Sequence, residues 1–400
     1  MKRWIMIRRG EQILSAWMQD QTLIQIQADP AANDGILGNI YVGRVKNIVK
    51  TINAAFIEIA GGRMGYYSME EKESPILVSP GGRGLRIGDE LLVQVAKEAV
   101  KTKAPVLTGK LNLTGRYAVL VHGLTGTGVS SKIPDGEERL MLKAIAEEYT
   151  GEGFGYIIRT NARTAGEESF RNELVALRSL YERIQNHGRM RTCFSCVYQA
   201  PQPYLCALRD SYDSEVDEIL TDDEELYRQI AGYLEEYQPE NTGKLRLHRD
   251  CVPSLESLYG ISHKLSEALK QKVWLKCGGN IVIQPTEALT VIDVNTGRAT
   301  EGKKNVQETF RRVNLEAAAE IARQIRLRNL SGIILVDFID MTDRAMREEL
   351  KGLLETLFRE DPIQTRFVDM TALNLVEITR KKIRKPLYEQ VAGTGGVADE

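Results

Sequence analysis

An α+β chain of more than one domain is what this sequence predicts, and three observations carry the prediction. Its 400 residues exceed the roughly 150 of an ordinary domain, which sets an expectation of about two to three. Short β-type runs punctuated by glycine crowd the stretch from Gly38 to Val95. Further on, a strand, a long amphipathic helix and a second strand follow one another between Ala288 and Asp337.

The elements justify themselves in chain order. Alternating Leu23, Ile24 and Ile26 before the turn Asp29-Pro30 mark the first ~35 residues as short strands. The runs Gly38 to Val45, Ala54 to Ile59, Tyr66-Tyr67 and Leu91 to Val95 have the cadence of a small β-barrel. Helices are expected over Glu137 to Tyr149 and Glu167 to Ile184, with a strand over Gly155 to Arg159. Between Asp210 and Glu240 stand twelve acids and one base, Arg228. They lack the turn glycine and bidentate Glu of an EF-hand loop, so this run is expected to be a solvated strand and helix face. The tail from Gly393 to Glu400 reads as a frayed end.

Composition narrows the function classes. With 42% apolar and 27% charged residues, disordered and collagen-like chains are excluded. A net charge of −2 gives no whole-surface basic field, so any polyanion site must be a local patch. No apolar stretch reaches ~18 residues and Met1 to Arg9 has no signal-peptide core, so we expect no membrane segment and a cytoplasmic protein. Five irregularly spaced cysteines argue against a disulfide framework. Cys193 and Cys196 form one CxxC with no second pair at matching spacing, so structural zinc is not supported.

The chemistry concentrates after Cys277. Asn280 to Ile283, the turn Gln284-Pro285-Thr286-Glu287 and Ala288 to Asn295 read as a hairpin whose second strand ends in Asp-x-Asn-x-Gly. Residues i and i+2 of a strand project to one side, so Asp293 and Asn295 present their oxygens together. Val306, Phe310, Val313, Ala317, Ile321 and Ile325 then recur at spacings of three and four, and Gly332 to Val336 is a buried-strand run ending in Asp337. A βαβ crossover brings Asp293 and Asp337 to one sheet edge, where open α/β sheets place ligands. Two carboxylates and an amide suit Mg²⁺ or Mn²⁺; a single strand-end Asp would instead read as a cap. Gly123 to Gly128 continues without the P-loop lysine, and Gly-x-Ser-x-Gly is absent. Metal-assisted hydrolysis is what survives.

The blocks Glu287 to Gly297, Asn314-Leu315-Glu316-Ala317-Ala318, Ile321-Ala322-Arg323-Gln324 and Val336 to Met341 resemble, in order, the signatures of the ribonuclease E/G endoribonucleases. The resemblance spans essentially the whole chain. It implies an RNase H-like platform from residues 1–35 and 206–268, an inserted S1-type OB-fold at 36–115 and a 5′-sensor region at 116–205. A DNase I-like α/β catalytic subdomain at 269–390 and a tail at 391–400 complete it. It makes Asp293 and Asp337 the Mg²⁺ ligands and Asn295 their polar partner, for hydrolysis of single-stranded RNA that leaves a 5′-phosphate and a 3′-hydroxyl. Asp340 reads either as a helper or as a solvent-facing turn acid.

The resemblance further places Phe56 and Tyr66 in an aromatic surface for a base, with Lys103 near the RNA backbone; Phe56 also reads as barrel core. Gly115, Val119, Arg159 and Thr160 match positions that contact a terminal monophosphate, a role for which an arginine fork is suited. Ser131, followed by Lys132, stands where the family has an arginine. The family commonly continues into a paired-cysteine zinc link for dimerisation; no cysteine follows Cys277, which leaves homo-oligomerisation open. The cluster Arg380, Lys381, Lys382, Arg384 and Lys385 reads equally as a phosphate patch or a solvated helix end. Two functions stand: a Mg²⁺-dependent endoribonuclease of RNA processing or decay favouring 5′-monophosphorylated ends, and an RNA-binding relative that cleaves weakly for want of the dimerisation segment.

Overall fold

The computed structural model describes residues 1–32, 35–70, 75–78, 84–99, 104–210, 216–249, 252–299, 305–371 and 373–392. Lys103, Cys251 and the tail 393–400 lie outside them. The chain is a mixed α+β protein that divides into two compact units. One comprises Met1–Ala32, Glu215–Leu234 and Glu240–Glu400; the other comprises Asn33–Ser214 and Glu235–Pro239.

In the first unit, Lys2–Arg9, Gln12–Gln19 and Thr22–Pro30 form an antiparallel meander. Glu218–Thr221 and Leu245–Leu247 extend it in parallel from the Lys2–Arg9 side, giving five strands. The acidic run over 210–240 is a strand and a helix on which Asp217, Asp222, Glu224, Glu225, Glu235, Glu236 and Glu240 are exposed, as expected, while a few of its acids are paired. Glu218 and Asp223 pair with Arg3 at 2.8 Å and Arg8 at 2.6 Å, and Asp217 accepts from the Lys2 backbone N–H at 2.6 Å. These acids fix the junction of a parallel strand pair whose cations stand some 215 residues earlier.

The same unit carries a six-stranded sheet ordered Lys272–Trp274, Asn280–Pro285, Leu289–Asn295, Gly332–Asp337, Leu375–Arg380 and Thr365–Met370. Leu289–Asn295 and Gly332–Asp337 run parallel, joined by the helix Val306–Leu327. That helix and Arg344–Arg359 contribute Val313, Ala317, Ile321, Ile325, Leu350 and Leu354 to one core with Ile281, Ile283, Ile292, Ile334, Val336, Val376 and Ile378. Asn305 caps the longer helix by accepting from the Glu308 N–H at 3.1 Å.

In the second unit, Ile40–Val49, Ala54–Ile59, Arg63–Ser68, Val106–Thr108 and Glu90–Lys97 close into a five-stranded barrel, with Glu90–Lys97 pairing back onto Ile40–Val49. Full closure removes the sheet edges, and the arrangement is OB-like. Alternation sends Ala55, Ile57, Tyr67, Val93 and Leu107 inward. Beside it in sequence, a four-stranded sheet of Asn112–Thr114, Ala118–His122, Phe154–Ile158 and Thr127–Val129 packs with the helices Gly136–Glu147 and Glu167–Met190. Among the described residues no helix is long and apolar enough to cross a membrane.

Candidate active site

The period of two along a strand decides which face of the six-stranded sheet does chemistry. Ile292 and Val294, Ile334 and Val336, and Val376 and Ile378 all point into the helix-covered core. Their alternates, Asp293, Asn295 and Asp337, therefore share the opposite face, and all three are exposed. Register completes the placement, since Asp293 and Asp337 are direct partners on adjacent parallel strands. The crossover thus sets two carboxylates side by side at the ends of their strands.

Like charges this close oppose one another. The Asp337 carboxyl is held above the usual carboxylate range, first by partial burial and then by the charges of Asp293 and Asp340. Among the described residues no cation forms an ion pair with any of the three. The Asn295 amide donates to Asp293 Oδ2 at 2.6 Å, and Asn374 donates to Asp340 Oδ1 at 2.9 Å. No cluster of three or more His, Cys, Asp or Glu is placed to enclose a metal among the described residues. An open set of two carboxylates and an amide, uncompensated by cations and free of soft ligands, fits a hard divalent ion that keeps much of its water.

Two supports of this edge lay beyond the sequence reading. Asn314, fully buried on the long helix, donates from Nδ2 to the Ile339 carbonyl at 2.7 Å and accepts the Ile339 N–H at Oδ1 at 3.1 Å. It pins the loop that carries Asp340 immediately after Asp337. The signal was present: an asparagine interrupts an apolar helical stripe, and a buried amide must find partners. On the other side, Gly297 has φ +51° and its absent Cβ would collide with the Gly278 carbonyl oxygen, so the turn after Asn295 has room only for glycine.

The residues expected to meet a terminal phosphate come together around Arg159 in the second unit. Its Nη1 donates to the Gly115 carbonyl at 2.7 Å and its Nη2 to Asp210 Oδ1 at 2.8 Å. Thr160 Oγ1 lies 3.0 Å from Ser130 Oγ, and Val119 pairs with Ile157 in the sheet beside them. Glu173 accepts the N–H groups of Arg116, Tyr117 and Ala118 at 2.7, 2.7 and 2.9 Å. Burial pushes this carboxyl up against the pull of those donors. A Cβ on Gly115 would stand 2.5 Å from Glu173 Oε1, which explains the glycine. Asp210 lies below the usual carboxylate range: burial raises it, and Arg209 and Arg159 outweigh burial. Ser131 is exposed, while Arg139 holds the neighbouring carbonyls of Ser130 and Ile133 at 2.6 and 3.1 Å.

On the barrel, Phe56 and Tyr66 are direct cross-strand partners, half-exposed, with ring centroids 6.2 Å apart at 78°. Neither belongs to the buried barrel core. The C-terminal basic cluster is divided. Arg380 is buried and paired with Asp361 at 2.8 Å, and Arg384 donates to Gln27 at 2.6 Å and lies 3.3 Å from Asp29. Lys381, Lys382 and Lys385 stay exposed.

Comparison with known proteins bears on the whole arrangement. The family model described as the Ribonuclease E/G family matches residues 112–383. Ribonuclease G of Escherichia coli is 34% identical over 383 residues, covering 93% of this chain and 78% of that protein. Ribonuclease G of Haemophilus influenzae is 33% identical over 384 residues, with the same coverage. Ribonuclease E of a Nostoc species is 35% identical over 401 residues, covering 98% of this chain and 58% of its own. Likeness of this extent, over a sheet that pairs the two acids of the signature blocks, places the chain in the ribonuclease E/G family.

Proposed function

We propose that this chain is an endoribonuclease that hydrolyses single-stranded RNA with Mg²⁺, or Mn²⁺ in its place, and favours 5′-monophosphorylated substrates in RNA processing and mRNA decay. The observation that carries the reading is the paired register of Asp293 and Asp337 on one open sheet face, in a chain whose relatives are named ribonucleases. Asp293 and Asp337 would hold the ion, and Asn295 would keep Asp293 oriented through its 2.6 Å hydrogen bond. A divalent ion bound there supplies Lewis acidity toward a phosphate oxygen and a water of lowered pKa. Water adds to phosphorus as the bond to the 3′ oxygen breaks; that oxygen takes a proton, leaving a 3′-hydroxyl and a 5′-phosphate.

In this reading the five-stranded sheet is the RNase H-like platform, the barrel is the S1-type OB-fold, and the six-stranded sheet with its two helices is the DNase I-like catalytic subdomain. Phe56 and Tyr66 offer a base an aromatic surface, with Lys103 contacting the backbone; stacking of this kind is sequence-tolerant. Arg159, Gly115, Val119 and Thr160 receive the 5′-phosphate.

The test uses one end-labelled, unstructured RNA carrying a 5′-monophosphate, a 5′-triphosphate or a 5′-hydroxyl, with Mg²⁺ or EDTA, beside the Asp293→Asn protein. Mg²⁺-dependent cutting that the substitution abolishes, fastest on the monophosphate, supports both sites. Equal rates on the three ends would discard the Arg159 site as a sensor. RNA binding by folded wild-type protein without any cutting would replace the nuclease by an RNA-binding relative.

A further inference from the structure

The open face of the six-stranded sheet continues past the acids to the edge strand Lys272–Trp274. Val273 packs against the helix-covered core, so its neighbours Lys272 and Trp274 project onto the face that carries Asp293, Asn295 and Asp337. Register ties them to the same two rows. One row runs from Asp337 and Asp293 through Val282 to Lys272, and the other runs from Asn295 through Asn280 to Trp274. Two inter-strand spacings, about 10 Å, separate Trp274 from Asn295 and Lys272 from Asp293.

Trp274 is unusual among the three tryptophans. Trp4 and Trp17 are buried, at 1% and 7% exposure, and pack together with centroids 5.2 Å apart; Trp274 is 65% exposed. The Lys272 ammonium stands 4.3 Å from its ring centroid. Lys272 forms no ion pair among the described residues. Leaving a large ring in water wastes its burial energy, and a cation held over one face stiffens it as a platform. An exposed indole beside a lysine without an ion-pair partner is the combination that single-stranded nucleic acid engages, the ring taking a base and the ammonium a phosphate.

We infer that Trp274 and Lys272 form a nucleotide subsite on the catalytic sheet, where a base of the RNA strand, a few nucleotides from the scissile phosphate, stacks on Trp274 while Lys272 contacts the adjoining phosphate. The inference rests on the ribonuclease reading above and adds a specific contact beside the acids. It assigns substrate positioning to a strand that supplies no group to the chemistry.

The tryptophan itself is the probe. An unstructured 5′-monophosphorylated oligoribonucleotide is titrated into Asp293→Asn protein in EDTA, with emission recorded at the red edge and binding followed in parallel by anisotropy of a dye on the RNA. Quenching that saturates with the anisotropy is expected, because Trp274 is the exposed indole. In otherwise wild-type protein with Mg²⁺, Trp274→Ala should raise KM roughly tenfold with a smaller change in kcat. Trp274→Phe should recover most of that loss, and Lys272→Gln should show a smaller rise that shrinks with added salt. The side chain is exposed, and a melting temperature equal to that of the parent will show that Trp274→Ala is folded. RNA binding without quenching, or an unchanged KM in folded Trp274→Ala, overturns the subsite while leaving the nuclease intact. No RNA binding by anisotropy overturns it together with the ribonuclease reading. Emission that shifts to the blue with protein concentration in the absence of RNA, without quenching on RNA addition, overturns it in favour of a contact between copies.

Discussion

The sheet edge at Asp293 and Asp337 and the cluster around Arg159 handle charge in opposite ways. At the sheet edge two acids face each other with no described cation in an ion pair, and burial and mutual repulsion hold Asp337 above its ordinary range. Around Arg159 the charge is only partly offset, because the guanidinium is divided between the Gly115 carbonyl and Asp210, a carboxylate it shares with Arg209. The first arrangement stores an electrostatic cost that a bound cation relieves. The second keeps two guanidiniums on one carboxylate, so an arriving phosphate meets an excess of positive charge but must compete with an acid already in place. A site of unbalanced charge on adjacent rigid strands suits an ion that must be held for chemistry. A partly offset, partly exposed one suits a ligand that is sensed and released.

The largest effect expected from this difference is at the acids. Asp293→Asn or Asp337→Asn should lower the cleavage rate on the order of 10²- to 10³-fold or more, yet leave the melting temperature equal or raised, since either change removes the repulsion. A clear fall in melting temperature would return these acids to a structural role. Next comes their support. Asn314→Leu strips the Ile339 N–H and carbonyl of partners and should destabilise the protein by about 2 kcal/mol, with a loss of cleavage beyond what unfolding explains. Thermal melts read beside initial rates at low temperature separate the two contributions.

These two predictions also mark how far the sequence could be read. The βαβ unit was legible because strand and helix periods are local, and the acids fell at strand ends where topology alone brings them together. The barrel cadence was legible for the same reason. The helix Arg344–Arg359 and the strands Thr365–Met370 and Leu375–Arg380, which complete the six-stranded sheet and its cover, carried no equally plain local signal. Partnerships across sequence were hidden altogether. Asp210 looked like one more solvated acid until folding set it 2.8 Å from Arg159, and Arg380 looked like part of a basic surface until Asp361 buried it. The Asn314 clamp joins residues 25 apart, and nothing in the letters says that its partner is a backbone turn.

A smaller effect should come from Arg159→Ala. Loss of a charge-assisted phosphate contact predicts a roughly tenfold loss of preference for the 5′-monophosphate, with cleavage of 5′-hydroxyl RNA unchanged. A matched comparison of kcat/KM on the two ends measures it, and a uniform fall on both ends would place Arg159 in general RNA binding.

The smallest effect tests the balance itself. Asp210→Asn keeps the shape but removes the charge that occupies Arg159, so the preference for a 5′-monophosphate should increase, by up to about fivefold for an ion pair that is partly exposed. Asp210 has its pKa lowered in the folded protein. Its contribution is therefore complete above the ordinary carboxylate pKa near 3.8 and is lost only as pH falls through the lowered value. Between about pH 5 and 9 Asp210 therefore stays ionised. The second ionisation of a phosphate monoester lies near pH 6, so the end preference should strengthen as pH rises through that value, and do so equally in wild type and Asp210→Asn. A profile that differs between the two proteins would mean that Asp210 changes protonation in this range. An Asp210→Asn protein with weaker end preference would show that the acid positions Arg159 more than it competes for it.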